Sequence, residues 1–236
     1  MISVVIPVYN ESKNIIKCLE AFKNQTIAQD KFEIIIVDGA STDNTIKLAS
    51  KYDVKIIQQK TFSIEGARND GINIAKYDLI ATTDADCIVP EDWLENIVCY
   101  FQNNKDCVCQ FGQLKSLTGK YNILFSITSL ITRYNSNLNI FHATCGANTA
   151  FRKTAFLLCG GYKTYGVADD LELGLRIKKH GRIQYNPNAF ILYSTRRIEK
   201  RGLVMFVIDS IYYITNALLF KRTISKYPKN DYGNEK

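Results

Sequence analysis

ISVVIPVYNES, residues Ile2 to Ser12, decides the fold. Ile2 to Val8 is an unbroken apolar run, the pattern of a strand buried on both faces. It stops at the polar group Tyr9-Asn10-Glu11-Ser12. Ile15, Ile16, Leu19 and Phe22 then recur at helical spacing, with Ser12 as candidate N-cap. The same alternation continues. Phe32–Val37 is a second strand, ending on Asp38, and Ser41-Thr42-Asp43 opens a helix. Val54–Ile57 is a third strand and Glu65–Ala75 a third helix. Tyr77–Thr83 is a fourth strand, followed by Asp84-Ala85-Asp86, and Pro90 suits the first turn of a helix over Glu91–Phe101. Strands alternating with helices predict a mostly parallel sheet flanked by helices, an α/β Rossmann-like fold. In such sheets ligands bind at the carboxyl ends of the strands. Pro7–Glu11, Asp38–Asp43 and Asp84–Asp86 all fall at that edge.

After Phe101 the pattern is mixed. Cys107–Leu114 reads as strand, Tyr121–Phe141 as a long helix and Cys145–Arg152 as a short strand. A helix starts at Asp169 and ends at Gly181, and Ala189–Tyr193 reads as strand. No Pro/Gly/Ser-rich linker divides the halves. The expectation is one domain over residues 1–200, with an alternating half (1–102) and a mixed half (103–200), then a C-terminal helix and basic tail (201–236).

The 236 residues are 46% hydrophobic and 22% charged, values of a globular protein, and the net charge of +7 favours anionic partners. The seven cysteines are scattered, and neither histidine lies near a cysteine pair, so reduced thiols in a cytoplasmic protein are expected and zinc is not. Met1 leads straight into the strand pattern with no leader-like segment. Leu203–Phe220 is strongly apolar but short for a bilayer span and carries Asp209, Tyr213 and Asn216 at helical spacing. An amphipathic helix is favoured, either peripheral on the cytoplasmic face of a membrane or packed on the domain.

No G-x-G-x-x-G follows the first strand, no G-x-x-x-x-G-K-[ST] occurs, and no G-x-S-x-G elbow is present. Dinucleotide oxidoreductases, P-loop NTPases and α/β-hydrolases fall away. Asp84 and Asp86, two apart on an extended backbone, would point to one side and hold one hard cation, or an ion and a ribose hydroxyl. Taken alone, they read more readily as a solvated turn than as a site.

Six motifs in order, VVIPVYNES (4–12), IIIVDGASTDNT (34–45), GARNDGI (66–72), DAD (84–86), CGANTAFRK (145–153) and DDLELGLRI (169–177), resemble family 2 glycosyltransferases of the GT-A fold. The resemblance covers roughly residues 2–200 and implies a nucleotide-binding half over 1–102 and an acceptor-binding half over 103–200. It implies inverting transfer of a sugar from a nucleotide-diphosphate donor, UDP- or GDP-linked, to a glycan or lipid-linked acceptor, with Mg²⁺ or Mn²⁺ and no nucleic acid. It makes Asp86 the metal ligand, with Asp84 shared between metal and ribose in an Asp-x-Asp pattern. Asp38 would meet the nucleobase, with the alternative of capping the turn before Ser41. Pro7, Tyr9 and Glu11 would line the nucleotide, and Arg68 would bring charge toward base or phosphate. The second acid of Asp169-Asp170 matches the family's catalytic base, although an acidic pair at a helix start is also stabilised by the helix dipole alone. Asn148, within Cys145–Asn148, falls on the acceptor side, and Arg196-Arg197 would sit on a loop that closes over the diphosphate. His142 is a lone histidine with a structural reading beside a phosphate one. A binding protein without turnover and a nucleotidyltransferase are the rival readings. Against the second, PVYNESKN lacks a Gly-rich basic stretch.

Overall fold

A computed structural model of the chain describes residues 1–137, 146–163 and 169–220. The first half alternates as expected: β1 (Ile2–Val8), α1 (Ile15–Lys23), β2 (Phe32–Asp38), α2 (Thr45–Ala49), β3 (Lys55–Gln58), α3 (Ile64–Ile74), β4 (Leu79–Thr82) and α4 (Trp93–Asn103). Then come β5 (Cys107–Ser116), α5 (Asn122–Asn137), β6 (Thr149–Arg152), α6 (Lys153–Leu158), α7 (Asp169–Ile177), β7 (Arg182–Tyr193), α8 (Arg196–Arg201) and α9 (Leu203–Phe220). All seven strands form one sheet in the order β3-β2-β1-β4-β6-β5-β7. Every pairing is parallel except the two made by β6.

The continuous apolar runs are explained by a core on each face. Val4, Ile6 and Val8 of β1 pack with Ile15, Leu19 and Phe22 of α1 and Trp93, Leu94 and Ile97 of α4. Val5, on the opposite face, packs with Ile35, Val37, Ala67 and Ile72, and that layer extends to Phe151, Phe156 and Leu173. Burying each such side chain contributes on the order of 1.5–3 kcal/mol. Gly71 lets α3 lie close on the sheet, since a Cβ there would stand 2.5 Å from Val5 Cγ1.

Several local expectations are corrected. Ser12 does not cap α1. The Glu11 carbonyl opens the turn, accepting from the N–H groups of Asn14 and Ile15, and the Ser12 N–H donates to Asp43 Oδ2. Helix α4 begins at Trp93, whose N–H donates to the Pro90 carbonyl, so Pro90 lies in the preceding turn. Strand β6 begins at Thr149 after a 3₁₀ turn over Gly146–Asn148, and α6 was not expected from the sequence. Strand β7 starts seven residues before the expected Ala189, running through Asn186-Pro187-Asn188 at the sheet edge, where the missing proline N–H is tolerated. Arg196-Arg197 open helix α8 instead of lying on a loop.

Helix α9 has the bounds read from the sequence. Asp209 pairs with Arg201 at 2.6 Å, while Val204, Met205, Ile208, Ile211 and Tyr212 are exposed. No described helix is long and apolar enough to cross a membrane. The described cysteines Cys18, Cys87, Cys99, Cys107, Cys109 and Cys159 are free thiols. Cys145, His142 and the tail 221–236 lie outside the described residues, as do the side chains of Tyr213 and Asn216.

Candidate active site

The sheet opens at the carboxyl end of β1. Strands β1 and β4 are in register from Ser3↔Ile80 to Val5↔Thr82, and β1 then continues beside β2 alone through Pro7↔Val37. The side of Pro7 that lacks an N–H is where the β4 ladder has already ended. Strand order reverses at this point, with β2 on one side of β1 and β4 on the other, so the crevice lies at a topological switch point.

One wall is the pair of loops after β1 and β2, which are hydrogen-bonded to each other. The Asn10 N–H donates to Ser41 Oγ at 3.0 Å, the Thr42 N–H to Asn10 Oδ1 at 2.8 Å, and the Glu11 N–H to Thr45 Oγ1 at 2.7 Å. Asn10 holds φ of +54°, a left-handed value that asparagine tolerates better than most residues. Tyr9 is left partly exposed, and Asp38 is buried. The Asp38 carboxylate accepts the Ser41 N–H at 3.0 Å, so it caps its own turn. A carboxylate has roughly four acceptor positions, so capping leaves room for a further donor.

The floor is the turn after β4. Here one premise of the sequence reading is corrected. Asp84 and Asp86 lie beyond the end of β4, and Asp86 sits in a turn. The Cys87 N–H closes a turn onto the Asp84 carbonyl at 3.1 Å, and this turn, not strand alternation, gathers the side chains. One ligand atom each from Asp84, Asp86 and Cys87 lie within 4.8 Å of one another. The Cys87 thiol points at Asp86 Oδ1, 3.8 Å away. Burial, and then the Asp84 charge, push the Asp86 carboxyl up to about 6, against the opposing effect of Arg196. Two carboxylates converging in so small a space suit a hard divalent cation.

Arg196 reaches this floor from the far edge of the sheet. Ile88, just past the turn, makes a two-hydrogen-bond bridge with Leu192 at the end of β7. The chain then enters α8 directly above the crevice. Arg196 Nε lies 3.1 Å from Asp86 Oδ2, and its Nη2 lies 2.5 Å from Glu11 Oε1.

The other wall is built around Arg68 of α3. Its side chain is buried at 7% exposure, with Nη2 3.0 Å from Asp84 Oδ1 and Nη1 3.6 Å from Asp169 Oδ2. Its guanidinium carbon also stands 5.7 Å from the centre of the buried Tyr162 ring. Arg68 thus joins the floor to the acidic pair at the head of α7. Thr82 Oγ1 donates to the Gly146 carbonyl at 2.8 Å, and the Gly146 N–H donates to Asp170 Oδ2 at 2.8 Å. A Cβ on residue 146 would stand 2.4 Å from Arg68 Cζ, so any other residue there would displace the buried guanidinium. Burial raises the proton affinity of both acids, and Arg68 opposes the rise at each. For Asp169 the neighbouring Asp170 charge adds to it.

The sequence reading did not pick out Glu65, which is buried on α3 and bears electrostatically on both Asp169 and Asp170. Its position three residues before Arg68, on the same helix face, was the available signal. Tyr162 and Thr82 carried none, whereas the third donor, Cys87, directly follows the Asp-x-Asp pattern. Asn148 was placed on the acceptor side, but the structure uses its side chain internally. Its Nδ2 donates to the Ala189 and Gln113 carbonyls, at 2.7 and 3.2 Å, and its Oδ1 accepts from Trp93 Nε1 at 3.0 Å. Arg197 is half-buried beside Arg196 and adds a weaker positive influence at Asp86.

The fold and the crevice together define a GT-A nucleotide-sugar fold. A sequence profile of Glycosyl transferase family 2 matches residues 3–158, and the chain belongs to that family. Glycosyltransferase AglE of Haloferax volcanii is 37% identical over 100 residues, 40% of this chain and 33% of that protein. A dolichyl N-acetyl-α-D-glucosaminyl phosphate 3-β-D-2,3-diacetamido-2,3-dideoxy-β-D-glucuronosyltransferase of Methanococcus voltae is 27% identical over 225 residues, 85% and 68% of the two chains. The solved structure of mannosyltransferase PcManGT of Pyrobaculum calidifontis, in complex with GDP-Man and Mn²⁺, superposes with a TM-score of 0.75 at 22% identity, over 96% of this chain and 65% of that one. This chain therefore spans a third of the Haloferax relative's length and about two thirds of the other two.

Proposed function

We propose that the protein transfers a sugar, with inversion, from a UDP- or GDP-linked donor to an acceptor hydroxyl. The observation that carries this reading is the shared crevice. Two converging carboxylates on its floor and a buried acid pair on its wall are tied together by one arginine. The Pyrobaculum relative's donor and ion are consistent with it. Pro7, Tyr9, Glu11 and Asp38 form the nucleoside side. Asp84 and Asp86 would hold Mg²⁺ or Mn²⁺, which when bound supplies Lewis-acid stabilisation of the departing diphosphate. Arg68 fixes Asp84 and neutralises the acid pair. Asp170, oriented by the Gly146 N–H, takes the proton of the acceptor hydroxyl as its oxygen attacks the anomeric carbon opposite the leaving group. A base with proton affinity raised by burial is better matched to neutral pH than a free aspartate.

The acceptor is a glycan or a lipid-linked molecule. The exposed apolar face of α9, preceded by Arg196, Arg197, Lys200 and Arg201, supports peripheral contact with an anionic cytoplasmic membrane face. The reading is tested by incubating the protein with a panel of UDP- and GDP-sugars and Mn²⁺, and measuring nucleotide release with and without candidate acceptors. One donor should be consumed in a metal-dependent way, and Asp86→Asn should abolish it. Retention of donor by both forms would refute transfer. Membrane contact is read by flotation with phosphatidylglycerol vesicles, and equal flotation after removal of residues 203–236 would refute the role of α9.

A further inference from the structure

The Arg196 guanidinium stands where a second cation would compete with a metal ion. It makes three contacts with two carboxylates of the crevice: Nε to Asp86 Oδ2 at 3.1 Å, Nη2 to Glu11 Oε1 at 2.5 Å, and Nη1 to Glu11 Oε2 at 3.4 Å. Asp86 is also one of the residues whose donor atoms converge within 4.8 Å on the floor. A divalent ion and a guanidinium sharing one small carboxylate repel each other strongly at such separations. The arginine is nevertheless able to leave. Its side chain is 46% exposed, and the backbone that carries it is fixed by buried neighbours on either side, Thr195 and Ile198. Rotation of the side chain alone moves the charge, with no movement of α8. A nucleoside diphosphate offers the planar guanidinium fork a paired set of oxygens that matches it at least as well as a carboxylate does.

We infer that Arg196 is an exchangeable counter-cation of the crevice. It occupies Asp86 and Glu11 in the nucleotide-free protein, weakens metal binding there, and moves to the diphosphate when the donor enters. Metal and nucleotide therefore bind with positive coupling, and by linkage each tightens the other by the same factor. The inference rests on the proposed metal site at Asp84 and Asp86. It assigns Arg196 a positioning role in addition to any contact with the bound diphosphate. It also differs from a purely structural tie between α8 and the β1 loop, because a tie predicts lost stability on removal and no gain in metal affinity.

The test uses the full chain without nucleotide and follows free Mn²⁺ by electron paramagnetic resonance. Wild type, Arg196→Gln, Arg197→Gln and Asp86→Asn are compared. Arg196→Gln is expected to bind Mn²⁺ about tenfold more tightly than wild type, or more, a change of about 1.4 kcal/mol. Arg197→Gln removes the same formal charge next door but leaves the 3.1 Å Arg196–Asp86 pair in place, so a change below about threefold is expected. Saturating UDP or GDP should tighten Mn²⁺ binding in wild type and close most of the gap to Arg196→Gln. Equal or weaker binding by Arg196→Gln, or an equal gain in Arg197→Gln, overturns the inference. If Asp86-dependent binding is the same in wild type and Arg196→Gln, only this inference falls. If no form binds Mn²⁺, with or without nucleotide, the metal site of the proposed function falls with it.

Discussion

Replacing Arg68 with methionine tests the wall of the crevice. The arginine is buried and lies 3.0 Å from Asp84 and 3.6 Å from Asp169. At an effective dielectric of about 20, a charge pair at the shorter distance attracts by roughly 5 kcal/mol, and the second adds slightly less. Part of that offsets the cost of burying the guanidinium in the wild type. The variant keeps the acids but loses their counter-charge, and breaking a buried pair from one side typically costs about 3–5 kcal/mol. Methionine retains most of the packing volume, so the loss is mainly electrostatic. It must also depend on pH. Burial already raises the proton affinity of Asp169 and Asp170, and loss of Arg68 raises it further. Groups whose folded pKa is raised stabilise the folded state less as pH increases, so the variant's deficit should be largest near pH 8 and shrink toward pH 5. Urea melts followed by the single tryptophan, Trp93, which is fully buried, measure this directly. Arg68→Lys, which keeps charge but not the fork, should lose an intermediate amount. A loss below about 1 kcal/mol, or one independent of pH, would refute the assignment of Arg68 as the electrostatic link of the site.

Asp170→Asn should slow sugar transfer by about 10²–10⁴-fold while donor binding persists, measured by single-turnover transfer and donor calorimetry; wild-type-like turnover would remove Asp170 as the base. Asn148→Ala should cost about 2–3 kcal/mol, because it strands the Trp93 N–H and the Ala189 carbonyl in the core, and should shift Trp93 emission; a raised acceptor KM with unchanged stability would instead support an acceptor role. Asp86, held at about 6 by burial and Asp84, keeps its proton in the metal-free folded state over a range where the unfolded chain has released it. Wild type should therefore lose stability relative to Asp86→Asn as pH rises from about 4 to 6, and Mn²⁺ protection of wild type should fade below about pH 6; a pH-independent difference between the two would contradict the raised value.

The strands were legible because burial on both sheet faces leaves continuous aliphatic runs, as in Ile2–Val8 and Phe32–Val37. The crevice was legible because three runs give way to polar, acid-bearing segments, Tyr9–Ser12, Asp38–Asp43 and Asp84–Asp86. What the sequence hid was mostly backbone geometry. The turn at Asp84–Cys87 breaks the extended chain, so the carboxylates converge for a reason that period-two reasoning does not contain. Ser12 looks like a cap, but its N–H is taken by Asp43 from the neighbouring loop, a contact between residues 31 apart. Asn148 reads as a polar residue near the acceptor, yet three partners from α4, β5 and β7 hold it inside. Arg196 was visible as a basic residue, but its contact with Glu11 spans 185 positions and depends on the Ile88–Leu192 bridge, which no local pattern announces.

Thermal denaturation of wild type and Asp86→Asn against a panel of nucleotide sugars, each with Mn²⁺ and with EDTA, tests the central claim most directly. A metal-assisted donor site on the β4 turn predicts that one donor raises the wild-type melting temperature with Mn²⁺, that EDTA removes most of the shift, and that Asp86→Asn lacks it. A donor-induced shift that is the same with EDTA and in Asp86→Asn, or no shift with any donor, would contradict it.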